Sequence, residues 1–147
     1  MNDAIDREHR TFRFERVLEA TPEGVFDAWT TPSEVTEWWD PSGEPLTSCS
    51  IDLRIGGAFR FETAGHAPAF EGTYALIERP HRLEFVAMGA RGSVELQAHT
   101  RGTLMKVAIE CPTQELFEMY GKLRVAEGTN GTLDNLVRKL APSRESA

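Results

Sequence analysis

Six side chains in this sequence offer nitrogen or sulfur for metal ligation or nucleophilic chemistry: His9, His66, His81, His99, Cys49 and Cys111. No two of them stand at C-x-x-C or H-x-x-x-H spacing, so the pattern assigns no metal site. A nucleophilic serine would sit in a G-x-S-x-G elbow, which the sequence lacks, and nothing pairs Cys111 with a histidine that could take its proton. Gly56-Gly57 and Gly128-Thr129-Asn130-Gly131 lack the lysine and spacing of a phosphate loop and read as turn or kink glycines. What remains for chemistry is Arg16, Arg54 and His99, with Glu62, Glu71, Glu84 and Glu95 as acids or bases. A carboxylate buried in an apolar cavity would have a raised pKa and could abstract a proton from a ketone or polyketide. The competing reading makes these residues solvent-facing strand charges, with Arg16 paired to a carboxylate. No catalytic residue and no cofactor is assigned.

The aromatic residues carry the stronger signal. Trp38 and Trp39 are adjacent, so from a helix they cannot both face one core, and one is expected near the surface. Together with Trp29 they form either a staple pinning a helix pair to a sheet or a rim on which an aromatic ligand stacks.

The elements that must position these groups follow from periodicity. From Thr11 to Ala20, Phe12, Phe14, Leu18 and Ala20 alternate with charges, which predicts a strand whose apolar face Arg16 interrupts. Thr21-Pro22-Glu23 opens a short helix burying Val25, Phe26 and Trp29. Thr31-Pro32-Ser33-Glu34 has capping-box spacing and predicts a second short helix carrying Val35, Trp38 and Trp39, ended by Pro41 and Gly43. Strands are expected over 47–55, 58–63, 69–78, 82–89, 92–100 and 103–111, joined by short turns into an antiparallel meander. After Pro112-Thr113 the period changes to that of amphipathic helix, first with Leu116, Phe117, Tyr120 and Leu123, then with Leu133, Leu136, Val137 and Leu140. Gly121, Gly128 and Gly131 predict a break or kink between the two pieces.

Composition bounds the partners. Hydrophobic residues at 40% and charged residues at 27% suit one folded domain, expected over residues 10–141 with 1–9 and 142–147 as flexible ends. The net charge of −7 repels phosphate backbones and anionic lipid heads, so neither nucleic acid nor a membrane is an expected partner. Arg10, Arg13 and Arg16 come nearest to a basic run, but Glu8, Glu15 and Glu19 interleave with them as on a solvated strand face. Two cysteines in apolar-alternating segments suit a reducing compartment, and with neither a leader-like nor a membrane-length apolar stretch in the sequence the cytoplasm is the expected location.

A series of landmarks runs in order along the chain: Phe14-Glu15-Arg16, Ala20-Thr21-Pro22, Val25-Phe26-Asp27-Ala28-Trp29, Trp38-Trp39-Asp40-Pro41, Asp52-Leu53-Arg54-Ile55-Gly56-Gly57, Phe70-Glu71-Gly72-Thr73-Tyr74, Pro80-His81-Arg82-Leu83 and Gly128 before Leu133-Asp134-Asn135-Leu136. The chain thereby resembles the SRPBCC (START-like, birch-pollen-allergen-like) superfamily, specifically bacterial proteins similar to the C-terminal domain of the activator of heat-shock protein 90 ATPase. Relatives often carry an aromatic residue where this chain has Thr129. The resemblance implies an α+β helix-grip fold, a curved antiparallel sheet of about seven strands with two short helices after the first strand and a long C-terminal helix across it. It also implies an internal cavity for lipidic, aromatic or polyketide-like molecules, and often a homodimer. Chaperone-activating members carry a further N-terminal domain that is not expected in this sequence, which makes a chaperone role the less expected one.

A curved sheet and a straight helix cannot touch everywhere, so the inward residues should line a gap. On the strands these are Phe59, Phe61, Phe70, Tyr74, Phe85, Val94, Leu96, Val107 and Ile109. From the tail come Leu116, Phe117, Tyr120, Leu133 and Val137, and from the first helices Trp29, Trp38 and Trp39. Arg16, Arg54 and His99 are the polar candidates. The expected function is binding of a small apolar or aromatic molecule, with a cyclase or dehydratase-like cavity enzyme or a stress-related co-chaperone as alternatives.

Overall fold

The structure is a computed structural model and describes residues 3–40, 46–64 and 69–142. The elements run β1 (Ala4–Asp6), β2 (Thr11–Leu18), α1 (Pro22–Thr30), α2 (Pro32–Val35), β3 (Leu46–Ile51), β4 (Ala58–Thr63), β5 (Phe70–Glu78), β6 (Arg82–Ala87), β7 (Ala90–His99), β8 (Gly102–Glu110), α3 (Gln114–Lys122) and α4 (Val125–Leu140). The strands form one antiparallel sheet in the order β1-β2-β8-β7-β6-β5-β4-β3. This is the helix-grip architecture, with one strand more than expected.

Alternation decides which face is buried. Phe12, Phe14, Arg16 and Leu18 of β2 point inward, beside Val107 and Met105 of β8, Val94 and Leu96 of β7 and Leu83 of β6. Two register irregularities, in β3 between Leu46 and Ser48 and in β5 between Tyr74 and Leu76, add the local twist that curves a sheet. Helix α1 packs against β7 and β8, and α4 against β2, so two helices share the inner face.

The Thr21 cap forms as expected: its hydroxyl accepts from the Gly24 N–H at 3.2 Å. The capping box at Thr31 does not. Thr31 closes α1 by donating its N–H to Asp27 and opens α2 with its carbonyl, while its side chain caps nothing. Because α2 ends at Val35, Trp38 and Trp39 leave from a turn. Trp38 enters the core and donates its Nε1–H to the Ala28 carbonyl at 3.0 Å, whereas Trp39 stays half-buried. The proposed end of that helix at Pro41 and Gly43 lies outside the described residues, as do His66 and residues 143–147.

Two further expectations need correction, and a third is met at a residue the sequence did not single out. Residues 1–9 are not all loose, because Ala4–Asp6 pairs with β2 and Asp6 and Asp3 meet Arg13 and Arg16; backbone pairing and ion pairs hold a segment that has no apolar periodicity. The strand expected to reach Ile55 ends at Ile51, since Gly57 brings its backbone where a Cβ would stand 2.1 Å from the Asp52 carbonyl oxygen. The break expected between the terminal helices is present and falls at Arg124, in the left-handed region at φ 58; the glycines do not make it, since Gly121, Gly128 and Gly131 lie inside helix. Their cost of about 1 kcal/mol each is outweighed by the packing of Leu133 and Leu136, both fully buried.

Candidate functional site

A cavity of about 370 Å³ lies between the sheet and the terminal helices. Its floor is Phe61 and Thr63 of β4, Phe70 of β5, Phe85 and Ala87 of β6, Ala90 and Gly92 of β7, and Val107 and Ile109 of β8. Trp29 and Trp39 close one side, and Tyr120, Val125, Gly128, Thr129, Thr132 and Leu133 form the roof.

The space has a sequence cause on each wall. On α4 the residues turned toward the sheet include Gly128, Thr129 and Thr132, so the helix presents little bulk there. On the floor Gly92 stands directly opposite Phe85, and a Cβ at position 92 would lie 2.3 Å from the Phe85 ring. The absence of a side chain at Gly92 lets that ring lie over the strand. Trp39 sits 5.2 Å from Phe61 and 4.9 Å from Phe70, centroid to centroid, at separations typical of paired aromatic rings. Behind this wall a recess of about 10 Å³, lined by Phe59, Tyr74 and Leu83 with the rings in front, has room for roughly one water.

Leu123 at 66% exposure and Met88 at 46% mark the cavity's mouth. Met88 and Gly89 both have positive φ, the two-residue turn of the β6–β7 hairpin. The Tyr120 hydroxyl donates to the Met88 carbonyl at 2.5 Å and ties α3 to that hairpin.

Of the residues selected from sequence, the cavity brings together Trp29, Trp39, Phe61, Phe70, Phe85, Val107, Tyr120 and Leu133, along with Ile109. Phe59 and Tyr74 line only the recess. Trp38, Val94, Leu96, Phe117 and Val137 pack in or against the core away from the cavity lining; α1 covers the inner side of β7, and Phe117 stacks on Phe12 at 5.0 Å.

The polar candidates are elsewhere. Arg16 faces inward but is consumed by Asp3, Asp134 and Asn130. Arg54 is exposed and pairs with Asp52. His99 is exposed and accepts the Arg101 N–H across the β7–β8 turn. The four carboxylates sit on the outer sheet face, Glu62 and Glu71 on Arg60, Glu84 between Arg82 and Arg91, and Glu95 beside Gln97. Sequence reasoning missed Thr63, Ala87, Ala90, Gly92, Gly128, Thr129 and Thr132, because a search for large apolar residues passes over small ones; the Gly128–Thr132 run in a helical period was the signal available.

Burial pushes the Cys49 thiol up to about 11 and raises Cys111 despite the opposing charge of Arg10, so neither is a thiolate at neutral pH. Tyr74 is raised by burial and further by Cys49. A thiol or phenol raised on folding holds its proton more tightly in the native state, so it stabilises the fold below its unfolded pKa and loses that contribution as pH rises. For Cys49 the window runs from 9.0 to about 11. The melting temperature should fall across that window, and Cys49→Val should shallow the fall. At pH 8, iodoacetamide should alkylate Cys49 about 100-fold more slowly than an ordinary thiol, in proportion to its thiolate. Alkylation at the ordinary rate would contradict the burial argument.

Among the described residues no three His, Cys, Asp or Glu side chains gather as metal ligands, and no helix is long and apolar enough to cross a membrane.

Comparison with known proteins agrees with this fold. A crystal structure of a Mycobacterium smegmatis protein superposes with a TM-score of 0.84 at 16% identity, covering 98% of each chain. A crystal structure of a Rhodobacter sphaeroides protein reaches 0.79 at 25% identity over 88% of this chain and 90% of its own. An AHSA1-like protein of Aeromonas hydrophila, solved in solution, reaches 0.73 at 28% identity over 87% and 90%. No curated protein matches. The family model described as "Activator of Hsp90 ATPase homolog 1-like protein" matches residues 19–141. With that match spanning most of its length, the chain belongs to the activator of Hsp90 ATPase homolog 1-like family of the SRPBCC superfamily.

Proposed function

We propose that the protein binds a small aromatic or apolar molecule between its sheet and its terminal helices, as a carrier or sensor that leaves the molecule chemically unchanged. The observation that carries this reading is the lining: aromatic and aliphatic side chains from β4 to β8 and from α1, with Arg124 the one charged side chain among the described residues that form it. Such a surface gains free energy by covering apolar area, at about 25 cal/mol per Å². Acid–base catalysis on a bound molecule would need ionisable groups converging inside, and the four carboxylates that could supply them face the opposite side of the sheet in arginine pairs and hydrogen bonds.

Binding should quench tryptophan fluorescence, since Trp29 and Trp39 line the cavity. A panel of naphthalene, 2-naphthol and decanol tests this. A member present at ten times its Kd should raise the melting temperature by roughly 3–5 °C, from RT ln 11. Trp38→Phe should keep the quench, because Trp38 is in the core, and Trp39→Phe should weaken it, leaving the share that Trp29 contributes. Absence of both quench and thermal shift with every member of the panel would sink the reading.

A further inference from the structure

Two buried side-chain polar atoms have no hydrogen-bond partner among the described residues, Thr63 Oγ1 and Thr132 Oγ1, and both residues line the cavity. Thr132 is 3% exposed. A helical threonine has a local remedy: it turns its hydroxyl back to the carbonyl four residues earlier, as Thr30 does to Phe26 at 2.8 Å. Thr132 does not make that bond. For the fold alone, a valine of the same shape would serve better at this position, because a buried hydroxyl without a partner costs stability.

We propose, resting on the binding reading above, that the cavity takes an uncharged aromatic molecule bearing a hydroxyl or carbonyl oxygen, held at that oxygen by Thr132 Oγ1 with Thr63 Oγ1 as a second contact. A hydroxyl both donates and accepts, so either oxygen type fits. The ring system follows from Trp39, Phe61, Phe70 and Phe85, which offer π-faces and edges. Its size follows from the volume: about 370 Å³ is more than twice the ~150 Å³ that accepts benzene, which suits two or three fused rings. Neutrality follows from the charges. Arg124, the one charged side chain among the described residues of the lining, is at the mouth and is paired with Glu127 at 2.7 Å. A carboxylate inside would be desolvated without a counter-charge.

The test uses the full chain with naphthalene, 2-naphthol and 2-naphthoate at pH 7, read by calorimetry and tryptophan quenching. 2-Naphthol should bind about 5-fold tighter than naphthalene, the worth of one net hydrogen bond, and 2-naphthoate should bind most weakly. Thr132→Val should bring the naphthol-to-naphthalene ratio to about 1, and Thr132→Ser should retain the preference. Without any probe, Thr132→Val should raise the melting temperature by about 2–4 °C, which separates loss of the hydroxyl from loss of the fold. Equal affinity for naphthol and naphthalene, a preference that survives Thr132→Val, or tightest binding of the naphthoate would each overturn the proposal while leaving the cavity reading intact. Failure of all three probes to bind would overturn both.

Discussion

Thr129→Phe is expected to weaken naphthalene binding by about 30-fold while leaving the protein folded and at least as heat-stable. Thr129 is half-buried in the cavity roof, one residue after Gly128 and three before Thr132. A phenyl ring there occupies space that one ring of a bound molecule would use. Losing the burial of a ring removes about 2 kcal/mol, and that converts to a factor of about 30. The new ring covers apolar floor, so the folded state gains what binding loses. Gly131→Ala is the control: a Cβ at position 131 meets nothing within 4 Å, so the change should raise stability by about 1 kcal/mol through helix propensity with no effect on affinity. Titration calorimetry of the three proteins measures the affinity, and scanning calorimetry of the same proteins measures the stability. Wild-type affinity in Thr129→Phe would place the binding site elsewhere.

The same stretch shows where sequence reading stops. Alternation along β2 and β4 to β8 identifies the inward residues, and the capping threonine and prolines place α1 and α2. Inward phase does not say what covers a residue. Val94 and Gly92 have the same phase on β7, yet Val94 belongs to the closed core and Gly92 to the cavity, because α1 and the cavity divide one sheet face between them. Trp38 and Trp39 show a related limit. If α2 had continued past Val35, helical spacing would have set their directions; the turn that ends it sends one ring into the core and the other to the cavity. Polar candidates chosen by residue type fared worst, since Arg54 and His99 find partners within two residues of themselves and never approach the interior.

Arg16 is legible only as an interruption of an apolar face, and its removal should produce the largest loss of stability among these changes. The side chain is 3% exposed on the inner face of β2. Its Nε donates to Asp134 at 3.1 Å, one terminal nitrogen donates to Asp3 at 2.6 Å and to the Glu15 carbonyl, and the other donates to Asn130 at 2.7 Å. Burial works against the charge, yet Asp3 and Asp134 outweigh it and raise the guanidinium's pKa. One group thus joins the N-terminal segment, β2 and α4. A fully buried pair that loses one partner costs ~3–5 kcal/mol, but Asp134 is 48% exposed and can rehydrate, so Arg16→Ala should cost less, about 2–3 kcal/mol in urea unfolding. Arg16→Met separates the contributions. It keeps the apolar stem and gives up only the charge, so its cost should be about half that of alanine. In Arg16→Ala the amide protons of α4 should exchange faster than those of β7 and β8, because α4 loses its tie to β2 while the central strands keep their neighbours. Equal losses in the alanine and methionine proteins would assign the whole effect to the ion pairs. Exchange rates unchanged in α4 would mean that Leu133 and Leu136, not Arg16, hold the helix over the cavity.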